Sequence, residues 1–212
     1  MRIAPTDALV VVDLQPDFMP GGALPVPEGD AVVPVVAPLL RRFATVVATQ
    51  DWHPPGHASF ASSHPGRRPY DIIERFGHPQ VLWPDHCVQG TAGAALVVDL
   101  PTEPVSLVLR KGMDPEVDSY SAFRENYGPG GMRAPTGLAG YLRERGIRRV
   151  FVCGLARDFC VRWTAEDAAA AGFETFVLDD ATRPVFPDAR EETDRAFADA
   201  GVHVVRTSDL TR

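Results

Sequence analysis

Lysine is almost absent from this chain of 212 residues: of its 21 basic residues, 20 are Arg and only Lys111 is Lys. Ala, Pro, Val, Gly and Arg are abundant, which points to a genomic bias. The solitary Lys is therefore either an accident of composition or a position that requires an ammonium. Cysteine is scarce as well. Three residues, an odd number without a C-x-x-C pair, argue against a disulfide framework and for reduced thiols in the cytoplasm. No apolar run approaches the ~18 residues of a transmembrane helix. The longest, Ala31 to Leu40, carries two prolines. The N-terminal run Ala8 to Val12 is short, ends at Asp13 and has no small-residue cleavage site, so no signal peptide is expected. Surplus positive charge is also lacking. The formal net charge of −7 leaves few cations to meet phosphates, so neither nucleic acid nor an anionic membrane is an expected partner. No G-x-G-x-x-G follows the first strand-like run, and G-x-x-x-x-G-K-[ST] and G-x-S-x-G are missing, which argues against a nucleotide enzyme and a nucleophile-elbow hydrolase. His86-Cys87 suggests an H-C-x5-R phosphatase, but position 93 is Gly.

What is present is an ordinary globular composition, 45% hydrophobic and 23% charged, at a length that fits one domain over residues 1–212. Six apolar runs read as buried strands: Ala8 to Asp13, Thr45 to Gln50, Val105 to Arg110, Arg149 to Gly154, Phe173 to Leu178 and Val202 to Arg206. They are near-continuously apolar, which suits a parallel sheet covered on both faces. Asp30 to Phe43, Thr136 to Arg145, Phe159 to Ala171 and Pro187 to Ala200 read as helices, the last three ending at Gly146, Gly172 and Gly201. The alternation predicts an α/β, single-domain, doubly wound sheet of about six mainly parallel strands, with helices on both faces and the ligand site at the carboxyl ends of the strands. Two long Pro/Gly-rich loops, 51–93 and 112–135, are expected to build that site.

Cys160 follows a predicted strand and the turn Gly154 to Asp158. With Asp158 as N-cap it falls in the first turn of a helix, where free amides and the helix dipole stabilise a thiolate and can bind an oxyanion. The alternative is a small buried hydrophobe. Cys153 lies inside a strand and reads as core. Cys87, beside His86 in a Pro-rich loop, is the rival nucleophile. Asp13 ends the first strand and Lys111 follows the third, so both can converge with Cys160 on one rim as base, cation and nucleophile. Otherwise they cap a turn and form an ordinary ion pair. Asp51 and His53 follow the second strand in D-x-H spacing, and His86 lies in the same long segment. Two imidazoles and a carboxylate suit Zn, Fe(II) or Mn. His57 and His64 read as solvated or as supporting the ligands from behind. Phe18, Trp83, Tyr120 and Phe123 either wall a flat pocket or belong to the core.

Taken together these residues resemble the nicotinamidase/pyrazinamidase family, within the isochorismatase-like cysteine hydrolases. The resemblance runs from about Asp7 to Val205. It rests on D-L-Q-P-D-F at Asp13, Q-D-W-H-P-P-G-H-A-S-F at Gln50, W-P-D-H-C-V-Q-G-T at Trp83, R-K-G at Arg110, Y-S-A-F at Tyr120 and G-L-A-R-D-F-C-V at Gly154. It implies conversion of nicotinamide to nicotinate and ammonia, with pyrazinamide as a further substrate and a place in cytoplasmic NAD salvage. It implies Asp13 as general base, Lys111 as the cation that steadies charged intermediates and Cys160 as nucleophile. Asp51, His53 and His86 would bind one divalent metal, zinc first and Fe or Mn next. A cis peptide before Ala156 would present the amides of Ala156 and Cys160 as the oxyanion hole. Phe18 and Trp83 would sandwich the ring, with Tyr120 beside them. Arg157 stands where the family often has Thr, and its long cation is expected at the pocket mouth. An N-carbamoyl-type amidase of the same superfamily, which would not need the metal triad, and a silent metal-binding module are the alternatives. A homo-oligomer is compatible with the sequence, which leaves the subunit number open.

Overall fold

A computed structural model describes residues 1–211. Eight strands form: β1 (Asp7–Val12), β2 (Thr45–Asp51), β3 (Ile72–Arg75), β4 (His78–Val81), β5 (Leu107–Lys111), β6 (Arg149–Leu155), β7 (Glu174–Arg183) and β8 (His203–Val205). Six of them build one parallel sheet in the order β5-β2-β1-β6-β7-β8. Every residue of β1 and β2 is buried, as the continuous apolar runs require of central parallel strands. Four helical segments connect the strands: α1 (Val33–Val36), α2 (Leu138–Glu144), α3 (Arg162–Ala170) and α4 (Arg190–Asp199). From β1 the chain steps outward to β2 and β5 on one side, then returns to place β6, β7 and β8 on the other. Right-handed crossovers then put α1 on one face and α2, α3 and α4 on the opposite face. The reversal opens a crevice at the carboxyl ends of β1 and β6. Among the described residues no helix is long and apolar enough to cross a membrane.

β1 and β6 approach very closely. A Cβ on Gly154 would lie 2.0 Å from the Val12 carbonyl oxygen, so only glycine fits between the two strand ends. Three expectations need correction. The helix expected over Asp30 to Phe43 is broken into a 3₁₀ turn, the single α turn α1 and a second 3₁₀ stretch over Ala37–Arg42. Pro34 and Pro38, four residues apart, each remove an N–H and crowd the preceding turn. The long 51–93 segment also contains a hairpin, β3 paired antiparallel with β4. Phe76 and Gly77 make its two-residue turn, both with positive φ (52° and 81°). Finally, Asp158 does not cap a helix. Residues Arg157–Val161 form a π-helical turn that leads into α3, with Ala156 at its N-cap and no side-chain cap bond.

Candidate active site

Four strand ends deliver the reactive side chains to one place. Asp13 follows β1 with φ at 48°, a left-handed conformation for a residue with a Cβ. Its backbone N–H donates to Thr49 Oγ1 (3.1 Å), and that hydroxyl donates back to Asp13 Oδ1 (2.5 Å). Asp51 ends β2 and Lys111 ends β5, adjacent in register. Cys160 sits in the turn after β6. Lys111, fully buried, gathers them: its Nζ lies 2.8 Å from Asp13 Oδ2 and donates to Asp51 Oδ1 (2.9 Å), to the Ser119 carbonyl (3.0 Å) and toward Cys160 Sγ (3.5 Å). The contact with Asp13 Oδ2 takes one lone pair of that oxygen and leaves the other to accept a proton.

The electrostatics follow from this burial. Burial pushes the Asp13 carboxyl above its ordinary range, against the pull of Lys111. Burial would also raise Asp51, but His53 and Lys111 override it and hold Asp51 well below the usual carboxylate range. Lys111 stays protonated because Asp13 and Asp51 outweigh the desolvation of its ammonium. Burial pushes the Cys160 thiol well up, with Lys111 opposing. The expectation of a thiolate stabilised by a capped helix start is therefore corrected: burial favours the Cys160 thiol, and Asp13 stands beside it as a carboxylate able to take its proton. Cys87 is buried elsewhere and does not line the pocket. Burial and the carboxylates of Asp51, Asp13 and Asp17 push its thiol up.

Beside this trio lie the expected metal residues. Asp51, His53 and His86 offer ligand atoms within 4.8 Å of one another. His53 Nδ1 donates to the Gly112 carbonyl (3.0 Å) and His86 Nδ1 to that of Pro84 (2.7 Å). Both Nε2 atoms then meet Asp51 Oδ2, at 3.1 and 3.3 Å. Both Nδ1 atoms donate to carbonyls, which leaves both Nε2 atoms facing Asp51 Oδ2; a cation held there would take the Nε2 lone pairs in place of the Nε2 proton that Asp51 favours on His53. Gly112 is part of this cradle: its φ is 68°, and a Cβ would stand 2.4 Å from the His53 ring. The donor set fits zinc, Fe(II) or Mn. His57 is buried, not solvated. It packs on His53 with ring centroids 4.3 Å apart and engages Ser59 Oγ (2.8 Å) and the Asp114 carbonyl (2.8 Å) through its two nitrogens. It supports the ligand ring from behind. His64 donates to the Ala58 carbonyl (2.8 Å).

Phe18, Trp83 and Tyr120 line a small cleft that reaches Asp51, His86, Ala156 and Cys160. Its aromatic walls over a few polar groups suit a flat ring. Trp83 Nε1 donates to the Tyr120 hydroxyl (3.1 Å), and Gln80 of β4 holds Asp118 Oδ2 (2.7 Å), so the hairpin braces this wall. Phe123 does not line the cleft and instead packs on Phe173. The peptide between Leu155 and Ala156 is cis. Arg157 does not reach the pocket mouth: its guanidinium is buried against Asp179 and Asp194.

Several supporting residues escaped sequence reasoning. Gln15 clamps Asp51 through both backbone groups (2.8 Å each). Asp17 accepts the Cys87 N–H (2.7 Å) and so anchors the loop that carries His86. Both lie in the D-L-Q-P-D-F motif, where two polar residues directly after a buried strand are the clue. Leu24, Asp118, Phe159 and Val185 complete the cleft, and only Phe159, next to Cys160, carried any hint.

Comparison with known proteins matches this architecture. The isochorismatase domain model matches residues 7–209. A nicotinamidase of Acinetobacter baylyi is 50% identical over 187 residues, covering 87% of this chain and 85% of that protein. An L. infantum protein solved in complex with nicotinate superposes with a TM-score of 0.86 at 41% identity, over 100% of this chain and 98% of its own. A Pyrococcus horikoshii pyrazinamidase solved in complex with zinc gives 0.76 at 41% identity, over 95% and 99%. With the same fold and identity at this level over most of its length, the chain belongs to the nicotinamidase/pyrazinamidase family of isochorismatase-like hydrolases.

Proposed function

We propose that this protein is a nicotinamidase, a cysteine amidohydrolase that converts nicotinamide to nicotinate and ammonia through a thioester on Cys160. The observation that carries this reading is the meeting of Lys111 Nζ with Asp13, Asp51 and Cys160 at 2.8, 2.9 and 3.5 Å behind an aromatic-walled cleft that Asp51 and Cys160 line. Asp13 Oδ2 takes the thiol proton as Sγ attacks the carboxamide carbon. The oxygen of the tetrahedral intermediate faces the N–H groups of Ala156 and Cys160, and Lys111 steadies the added negative charge. Asp13 returns the proton to the leaving nitrogen, and ammonia departs. A water deprotonated by Asp13 then attacks the thioester, releasing nicotinate and the Cys160 thiol. Phe18 and Trp83 hold the ring between them, and Tyr120 fixes Trp83. Asp51, His53 and His86 would hold one divalent metal, zinc first and Fe or Mn as alternatives. When bound it supplies a Lewis-acid contact for the pyridine nitrogen. The reading extends to pyrazinamide, to one hydrolase domain spanning the chain, and to a place in cytoplasmic NAD salvage.

Assay of ammonia release from nicotinamide, with and without chelator, tests the proposal. Stripping the metal should mainly raise KM for nicotinamide. Benzamide lacks the ring nitrogen and should be poorer by roughly 100-fold or more in kcat/KM, the scale of leaving a buried polar partner unsatisfied. Active protein that contains no transition metal on elemental analysis, or that hydrolyses benzamide as well as nicotinamide, would contradict the metal assignment.

A further inference from the structure

We propose that Arg157 is a positioning residue for the nucleophile: its buried guanidinium bolts the turn that carries Ala156 and Cys160 to β7 and α4, on the side away from the substrate. The inference rests on the reading of Cys160 as the acylated residue.

The turn has little to hold it in place by itself. It is one π-helical turn in which the N–H groups of Phe159 and Val161 both go to the Ala156 carbonyl (3.1 and 3.0 Å), and no side chain caps it. Phe159 packs it on Trp83 and Tyr120 on the cleft side, and its polar fixation on the other side comes from Arg157 and Asp158, which do not line the cleft. Arg157 is the largest fully buried side chain among the described residues. Desolvating a guanidinium is costly unless its donors find partners. Here Nη2 donates to Asp194 Oδ1 of α4 (2.7 Å), and Nη1 to Thr182 Oγ1 of β7 (3.1 Å), with Asp179 Oδ1 also 3.1 Å away, while Nε is buried without a partner. The guanidinium lies over the Phe197 ring, 5.2 Å from its centroid. Asp158 takes the backbone N–H groups of Val185 and Phe186 (2.9 and 2.8 Å). Val185 lines the cleft. Two consecutive residues thus tie nucleophile, oxyanion amides and one pocket wall into a single rigid unit. The planar fork of Arg spans β7 and α4 at once, which a lysine ammonium cannot do with the same geometry. Thr at this position would leave Asp179 and Asp194 without that cation.

The test compares Arg157→Met, which keeps the stem over Phe197, with Asp194→Asn, which removes the partner from the half-exposed side, and with the double variant. Arg157→Met should lower kcat for nicotinamide by roughly 10- to 100-fold, the scale of misplacing a reacting group by about 1 Å. Asp194→Asn should lower it less, because Thr182 and Asp179 still hold Arg157, and the double variant should be no worse than Arg157→Met, because Asp194 reaches the turn through Arg157. KM and nicotinate binding should move by less than about threefold, since Phe18, Trp83, Asp51 and His86 line the cleft from other segments. Pyridine-3-carbaldehyde gives the second readout. The thiol adds across its C=O bond, its proton passes to Asp13, and the new oxyanion faces the turn. Its affinity should fall in step with kcat. Arg157→Lys should recover only part of the loss. If Arg157→Met does not fold, Asp194→Asn carries the test alone through the same split. Unchanged kcat in the folded variants, or equal losses in nicotinate and aldehyde binding, would overturn the proposal. Wild-type protein that releases no ammonia from nicotinamide would instead overturn the functional reading on which it rests.

Discussion

Replacing Cys160 by Ala should abolish nicotinamide turnover, a fall of roughly 10⁴-fold or more, as expected when the nucleophile of a covalent mechanism is lost. Cys87→Ala should keep most of the activity. The two thiols share burial and a raised pKa, so acidity does not separate them. Position does. Cys160 lines the cleft 3.5 Å from the Lys111 ammonium, whereas Cys87 sits with φ at 47° in the loop that Asp17 anchors, outside the cleft. Steady-state ammonia release by both variants checks this. Turnover that survives in Cys160→Ala and vanishes in Cys87→Ala would reverse the assignment.

The second large effect concerns the solitary lysine. Lys111→Arg should lose most activity, about 100-fold, because a wide planar fork cannot take the place of a compact ammonium that meets two carboxylates and a thiol at once. The site has no slack: Lys111 is completely buried, and Asp13 and Asp51 press on it from two strands. Displacing the cation also weakens the pull by which Lys111 lowers the Cys160 pKa, so the thiol should titrate still higher. The rate of thiol alkylation against pH reads this directly. In the variant, the rise in rate should come at a higher pH than in the wild type. Near-wild-type turnover and an unshifted alkylation profile would make the lone lysine an accident of composition.

Much of this arrangement was legible in the chain because parallel strands announce themselves. β1, β2 and β6 are buried on both faces and read as unbroken apolar runs, and their carboxyl ends place Asp13, Asp51 and Cys160 on one rim. Local rules failed where tertiary contacts took over. The β3–β4 hairpin turns on Phe76-Gly77, without the Asn or Asp that usually marks such turns, and Pro79 reads against a strand. Pro34 and Pro38 break a helix whose apolar spacing looked continuous. Asp158, a good N-cap by type, faces backbone amides 27 and 28 residues further along the chain. Arg157, whose long cation is expected at the pocket mouth, is buried behind the turn instead. Its partners, Asp179 and Asp194, come from a strand and a helix far along the chain, and no local pattern connects them.

The central claim is a covalent acyl group on Cys160, and mass spectrometry of protein quenched in acid during the first turnover of nicotinamide tests it most directly. The nicotinoyl group should be found on the peptide that contains Cys160 and on no other, in wild-type protein that also releases ammonia. A nicotinoyl group on the peptide containing Cys87, or ammonia released with no acylated peptide at any quench time, would contradict it.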